Sequence, residues 1–177
     1  PASMAKVMTA YVVLDLIKKG ELSREKLFTV SEATWKKWNG STGGSTMFLR
    51  SGEKVSVDDL LKGLITVSGN DAAAVLAVGI DGSEEAFVKR MNDMASKIGM
   101  KSSRFGTPNG WPDGGRTLTT ARDLAMLGER TIGDFPSLYH EYYGLSDFRW
   151  NGVTQPNRDP LLGRYKRRRW YEDRSHG

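Results

Sequence analysis

Apolar residues recur at helical spacing along most of this sequence, and capping signals open or close each run, so the chain is committed largely to helices. Pro1 suits a first helical turn, and Val7, Tyr11, Leu14 and Ile17 then recur until Gly20 stops the run. Ser56 followed by Asp59 reads as a capping box opening a helix over 57–67, with Leu60, Leu61, Leu64 and Ile65 on one face. Residues 71–80 are Ala-rich and apolar, as a buried helix requires. Ser83 caps another helix, carrying Phe87, Met91, Met94 and Ile98 on one face and Gly99 at its end. Thr119 or Thr120 caps a helix running to about Ile132. Strand signals are fewer: 27–30 and 54–56 can each pair, and 147–154 holds Asn151-Gly152 between alternating flanks, the pattern of a tight hairpin.

Composition removes several function classes. The chain of 177 residues suffices for one domain with a sizeable core. It has no cysteine, hence no disulfide framework and no thiolate metal site. His140 and His176 are its only histidines, too few for an imidazole metal cluster and poor material for a His-based triad. No apolar run approaches the roughly 18 residues that span a bilayer. The net charge is +5, yet Tyr165 to Gly177 alone hold Lys166, Arg167, Arg168, Arg169 and Arg174 against Glu172 and Asp173. The remainder, with 21 basic and 19 acidic residues, is nearly balanced.

The chemistry sits at two places. Ser3-Met4-Ala5-Lys6 puts a hydroxyl and an amine one turn apart on one face of a helix start. Serine is a poor nucleophile until a base takes its proton, and a neutral lysine can be that base. Its pKa, ordinarily about 10.4, must then be depressed by desolvation or another cation. Alone, the pair far more often means a helix cap and a surface lysine. Ser68-Gly69-Asn70 lies between two helical segments. It offers a hydroxyl for relaying a proton and an amide for holding a peptide bond, although the same residues also make plain turns.

Together the two motifs resemble the active site of the serine-type D-alanyl-D-alanine carboxypeptidases, the low-molecular-mass penicillin-binding proteins of peptidase family S11. PASMAKVMTAYV, GGSTMFLRSGEKVSVDDLLKGLITVSGNDAA, FGTPNGWPDGGRTLTTARDLA and FRWNGVTQPNRDPLLGR are similar to this family in order and approximate spacing, from Pro1 to Arg164. The wider superfamily carries S-x-x-K, S-D-N and K-T-G. The resemblance implies that Ser3 is the acylated nucleophile, Lys6 its general base, Ser68 a proton relay and Asn70 the ligand of the substrate amide. It implies removal of the terminal D-alanine from peptidoglycan stem pentapeptides through an acyl-serine, in cell wall biosynthesis and cell shape control, with β-lactams as inhibitors. It implies no metal or organic cofactor. The family works outside the cytoplasmic membrane, in the periplasm or cell envelope. It is exported by a signal peptide and often tethered by a C-terminal amphipathic segment, neither of which this stretch contains.

The implied fold is α/β (α+β), of the serine β-lactamase/transpeptidase kind: an antiparallel sheet packed against helices, plus a mainly helical lobe, with the site between them. Two departures matter. The strands that precede the serine motif in the family and its Lys-Thr-Gly motif are missing, so residues 1–164 are expected to form an incomplete catalytic domain, weak or inactive. An inactive penicillin-binding relative or a truncated product is one alternative. A class A β-lactamase is another, opposed by Gly69 in place of aspartate and by the lack of E-x-x-L-N after Asn70. Residues 165–177 are expected to be a frameshifted tail. Read one base later, the Trp170 codon forces a following glycine, and its neighbours permit Val-Asp-Gly-Met-Lys-Thr-Gly-His-Thr. The KRRRW cluster is then an artefact, and no nucleic-acid partner is expected.

Overall fold

The computed structural model describes residues 2–40, 44–160 and 162. A single 3-10 turn, Ala2–Met4, leads into α1 (Ala5–Lys18). β1 (Leu27–Thr29), α2 (Glu32–Trp38) and β2 (Lys54–Ser56) follow, then α3 (Val57–Thr66), α4 (Asn70–Asp81) and α5 (Glu84–Lys97). After a long connection come α6 (Ala121–Asp134), α7 (Pro136–Tyr143) and a hairpin of β3 (Asp147–Trp150) and β4 (Val153–Pro156). The described residues thus form an α+β arrangement that is mainly helical, as expected for the helical lobe of the implied fold. The expected tail, 165–177, lies outside the described residues.

Two helices are buried on every side. In α1 the run from Met8 to Leu14 is wholly enclosed, and in α4 Asn70 to Ala77 are all buried. A helix apolar all round belongs at the centre of a fold rather than on its surface. α3, α5 and α6 pack against α1, and α2, α3, α5 and β1 against α4. The outer helices are amphipathic and start where the sequence signals: the Ser56, Ser83 and Thr120 hydroxyls accept from the N–H groups of Asp59, Ala86 and Asp123. Each such cap contributes about 1 kcal/mol.

β1 pairs antiparallel with β2, and β3 with β4. The second pair turns at Asn151 and Gly152, both with positive φ (47° and 79°), as a type I′ hairpin requires. The expected strand over 27–30 stops at Thr29, although Val30 N–H still donates to the Glu53 carbonyl. Two helices carried no clear sequence signal. α2 is short and polar apart from its tryptophans, and is held by a Ser31 cap and by the buried Trp38. α7 is short and opens on Pro136.

The connection from α5 to α6 is pinned at both ends. The Asn92 side chain accepts from Phe105 N–H and donates to the Phe105 carbonyl, both at 2.8 Å. Arg104 and Leu118 exchange backbone hydrogen bonds of 2.7 and 2.8 Å. The segment between them is thereby laid across the N-terminal half of α1.

Two helical glycines test the packing in opposite directions. A Cβ on Gly79 would sit 2.4 Å from the Phe28 ring, whereas one on Gly128 would meet nothing within 4 Å. Overpacking costs about 1–3 kcal/mol and outweighs the roughly 1 kcal/mol by which alanine favours a helix over glycine. Gly79→Ala should therefore lower the urea unfolding midpoint, and Gly128→Ala should raise it. A stabilised Gly79→Ala protein would show that α4 does not seat on β1 through Phe28.

Candidate active site

The order of residues at the chain's start brings a hydroxyl and an amine together. Ser3 lies in the 3-10 turn and Lys6 in the first turn of α1, and Lys6 Nζ is 3.1 Å from Ser3 Oγ. Ser3 is exposed, while Lys6 is only 5% exposed. The amine also donates to the Asn109 carbonyl at 2.8 Å. Burial pushes the Lys6 pKa down from 10.5 to about 8, against the opposing pull of the Asp71 carboxylate. At pH 7 that raises the neutral fraction from about one in three thousand to about one in ten. A hydroxyl beside a partly neutral amine is the arrangement that makes a serine nucleophilic.

Ser68, Gly69 and Asn70 join α3 to α4. Ser68 has φ of 58°, a left-handed conformation that costs a non-glycine residue roughly 1–2 kcal/mol. It is held there from both sides: Val67 and Gly69 N–H both donate to the Gly63 carbonyl, and Asn70 N–H donates to the Ser45 carbonyl at 2.7 Å. Strain of this kind gathers where a side chain must be aimed. Asn70 is buried at the head of α4.

The two motifs meet around one loop. Asn109, whose carbonyl holds Lys6, also accepts Trp111 N–H on its side-chain oxygen. A Cβ on Gly44 would lie 2.9 Å from the Trp111 ring and 3.0 Å from Asn70 Nδ2. Gly44, with φ of 63°, thus lies between the indole and the Asn70 amide in a space that would not admit a side chain. Hydrogen bonds join Ser3, Lys6, Asn109 and Trp111, and Gly44 lies between Trp111 and Asn70.

Two contributors escaped sequence reasoning. One is the Asn109 carbonyl: a backbone acceptor has no residue signature, and Asn-Gly in TPNGW signals only a turn. The other is Asp71. It is buried, with oxygens accepting from the N–H groups of Met47, Leu49 and Ala72. Desolvation raises its pKa, and those three backbone donors oppose the rise. The pair from Met47 and Leu49 brackets Phe48, which has φ of 62°. Among the described residues no group of three or more His, Cys, Asp or Glu is placed to hold a metal ion.

Comparison with known proteins adds the following. The family described as Peptidase S11, D-alanyl-D-alanine carboxypeptidase, matches residues 1–169. D-alanyl-D-alanine carboxypeptidase DacC of Escherichia coli is 41% identical over 163 residues, covering 92% of this chain and 40% of that relative. Penicillin binding protein 6B from Escherichia coli superposes with a TM-score of 0.86 at 41% identity, over 92% of this chain and 51% of the other. Penicillin-binding protein D2 from Listeria monocytogenes, solved with cefotaxime bound, gives a TM-score of 0.76 at 28% identity, over 94% and 65%. The chain spans about two fifths of the length of the curated relatives it matches.

Keeping a cation buried at Lys6 lowers stability. A folded pKa of about 8 against 10.5 corresponds to about 3 kcal/mol. The cost is fully present below pH 8 and disappears as pH rises to 10.5, where the unfolded chain also sheds the proton. Lys6→Met removes it, and losing the bond to Asn109 returns about 1 kcal/mol. The variant should be about 2 kcal/mol more stable at pH 7, with the advantage vanishing toward pH 10.5. Urea unfolding across that range checks it, and a less stable Lys6→Met protein at pH 7 would contradict the buried-cation account.

Proposed function

Because the chain belongs to the D-alanyl-D-alanine carboxypeptidase family of serine peptidases, we propose that it carries the acylation centre of an enzyme that removes the terminal D-alanine of peptidoglycan stem pentapeptides. The observation that carries this reading is the 3.1 Å contact between Ser3 Oγ and the buried Lys6 amine. In the proposed reaction Ser3 Oγ attacks the penultimate D-alanine carbonyl as its proton passes to Lys6. The tetrahedral adduct collapses, the peptide C–N bond breaks, and the departing D-alanine amine takes a proton through Ser68. Asn70 holds the substrate amide. Water then attacks the acyl-serine carbonyl as its proton passes to the base, the ester C–Oγ bond breaks, the base returns the proton to Ser3 Oγ, and the shortened peptide leaves.

β-Lactams would follow the first half of this course and stay on Ser3 as an acyl adduct. The Listeria relative, solved with cefotaxime bound, supports β-lactam binding. The named relatives favour a peptidase over an inactive relative or a class A β-lactamase. We place the activity outside the cytoplasmic membrane, in cell wall biosynthesis and the control of cell shape. The basic cluster in 165–177 is assigned no nucleic-acid partner, in keeping with a frameshifted tail.

Covalent labelling with a fluorescent penicillin tests the assignment in the full-length protein, that is, this chain with the family's preceding strands and Lys-Thr-Gly motif restored. The wild type should be labelled and Ser3→Ala should stay dark. Lys6→Arg keeps the charge but cannot give up its proton near neutral pH, so acylation should slow by about 10²-fold or more. Labelling that survives Ser3→Ala, or normal rates in Lys6→Arg, would remove the corresponding residue from its role.

A further inference from the structure

Three residues after Lys6, and so on the same face of α1, stands Thr9, fully enclosed. A buried threonine inside a helix ordinarily returns its hydroxyl to a carbonyl of its own preceding turn. Thr131 in α6 does so, donating to the Leu127 carbonyl at 2.7 Å. Thr9 does not. Its hydroxyl leaves the helix and donates to the Pro108 carbonyl at 2.5 Å, with Met91 Sδ a weaker acceptor at 3.8 Å. The next carbonyl along the loop, that of Asn109, takes the hydrogen bond from Lys6.

Consecutive carbonyls of one loop are thus held by consecutive turns of one helix. The loop is further closed on itself: Gly110 N–H donates to Thr107 Oγ1, and Trp111 N–H to Asn109 Oδ1. Of the two attachments to α1, only the one through Thr9 is free of the proton transfer. Lys6 changes charge during the reaction, and its grip on Asn109 changes with it. We propose that Thr9 is a positioning residue for the Lys6 base. By anchoring Pro108 it fixes the Asn109 carbonyl, which engages one Lys6 N–H and leaves the lone pair of the neutral amine facing the Ser3 hydroxyl. The same anchor keeps the loop over the amine and water away from it. Asp71, from α4, is the charged group that acts on Lys6 here, and it favours the cation.

This proposal rests on Ser3 and Lys6 acting as nucleophile and base, and the test separates the two. In the full-length protein, Thr9→Val keeps the shape and removes the donor, while Thr9→Ser keeps the donor. Thr9→Val should slow the acylation step by about 10–100-fold, the scale of a displacement near 1 Å, with the half-saturating penicillin concentration unchanged. The Lys6 titration, followed by NMR at its ε-carbon, should move alkaline in Thr9→Val as water reaches the amine. Thr9→Ser should restore both. In the wild type, the Thr9 hydroxyl proton should exchange slowly with water, a measurement that needs no variant. A Thr9→Val protein with an unmoved Lys6 titration, a Thr9→Ser protein as impaired as Thr9→Val, or a freely exchanging Thr9 hydroxyl would each overturn the proposal. Should penicillin fail to acylate even the wild type, the acyl-serine reading falls, while the Lys6 titration still decides what Thr9 does.

Discussion

Enclosing the Lys6 amine is the demand around which the other features of this structure are arranged. An ammonium in water is a useless base near neutral pH, and an ammonium in a wholly apolar interior would not be tolerated. The fold settles between these limits by surrounding the amine on most sides while giving it one carbonyl, one hydroxyl and a distant carboxylate. Burial lowers the pKa and Asp71 restrains the fall, which leaves the amine near 8, where both protonation states are populated. That range suits the role of general base proposed for Lys6, since such a base must first accept and then return a proton.

Meeting this demand explains why α1 lies at the centre. Its N-terminal turn carries Lys6 next to Ser3, and the burial of the rest of the helix holds that turn still. α4 supplies the opposing wall through Asn70 and Asp71. Asp71 has two tasks that reinforce each other. Its contacts with Met47 and Leu49 fasten the irregular segment around Phe48, and its charge moderates Lys6. The loop through Asn109 closes the remaining side, and the Asn92 clamp at Phe105 sets where it crosses. Local strain at Ser68 and Phe48, each a few kcal/mol at most, is borne where these walls meet.

Much of this was legible in the residues. Capping serines and threonines marked the outer helices because a cap is a local interaction between a side chain and its own next turn. Asn151-Gly152 marked the hairpin for a similar reason, since few residues accept its two positive φ angles. α2 and α7 were not legible: they are short, and their stability comes from tertiary contacts of Trp38 and Tyr142 rather than from periodicity. In the site, Ser3 and Lys6 were identifiable as a side-chain pair with a fixed offset. Thr9 and the carbonyls of Pro108 and Asn109 were not, because what joins them is a contact between a helix and a loop some hundred residues apart.

The pH dependence of acylation tests the central claim most directly, because it reads the protonation of the base in the free protein. The quantity needed is the second-order rate constant for benzylpenicillin reacting with the full-length wild-type protein, between about pH 6 and pH 10.5. If burial of Lys6 makes Ser3 a nucleophile, the rate constant rises with pH through a single midpoint of about 8 and is level above it. A rate constant that is flat across this range, or one whose midpoint stays near 10.5, would contradict the account.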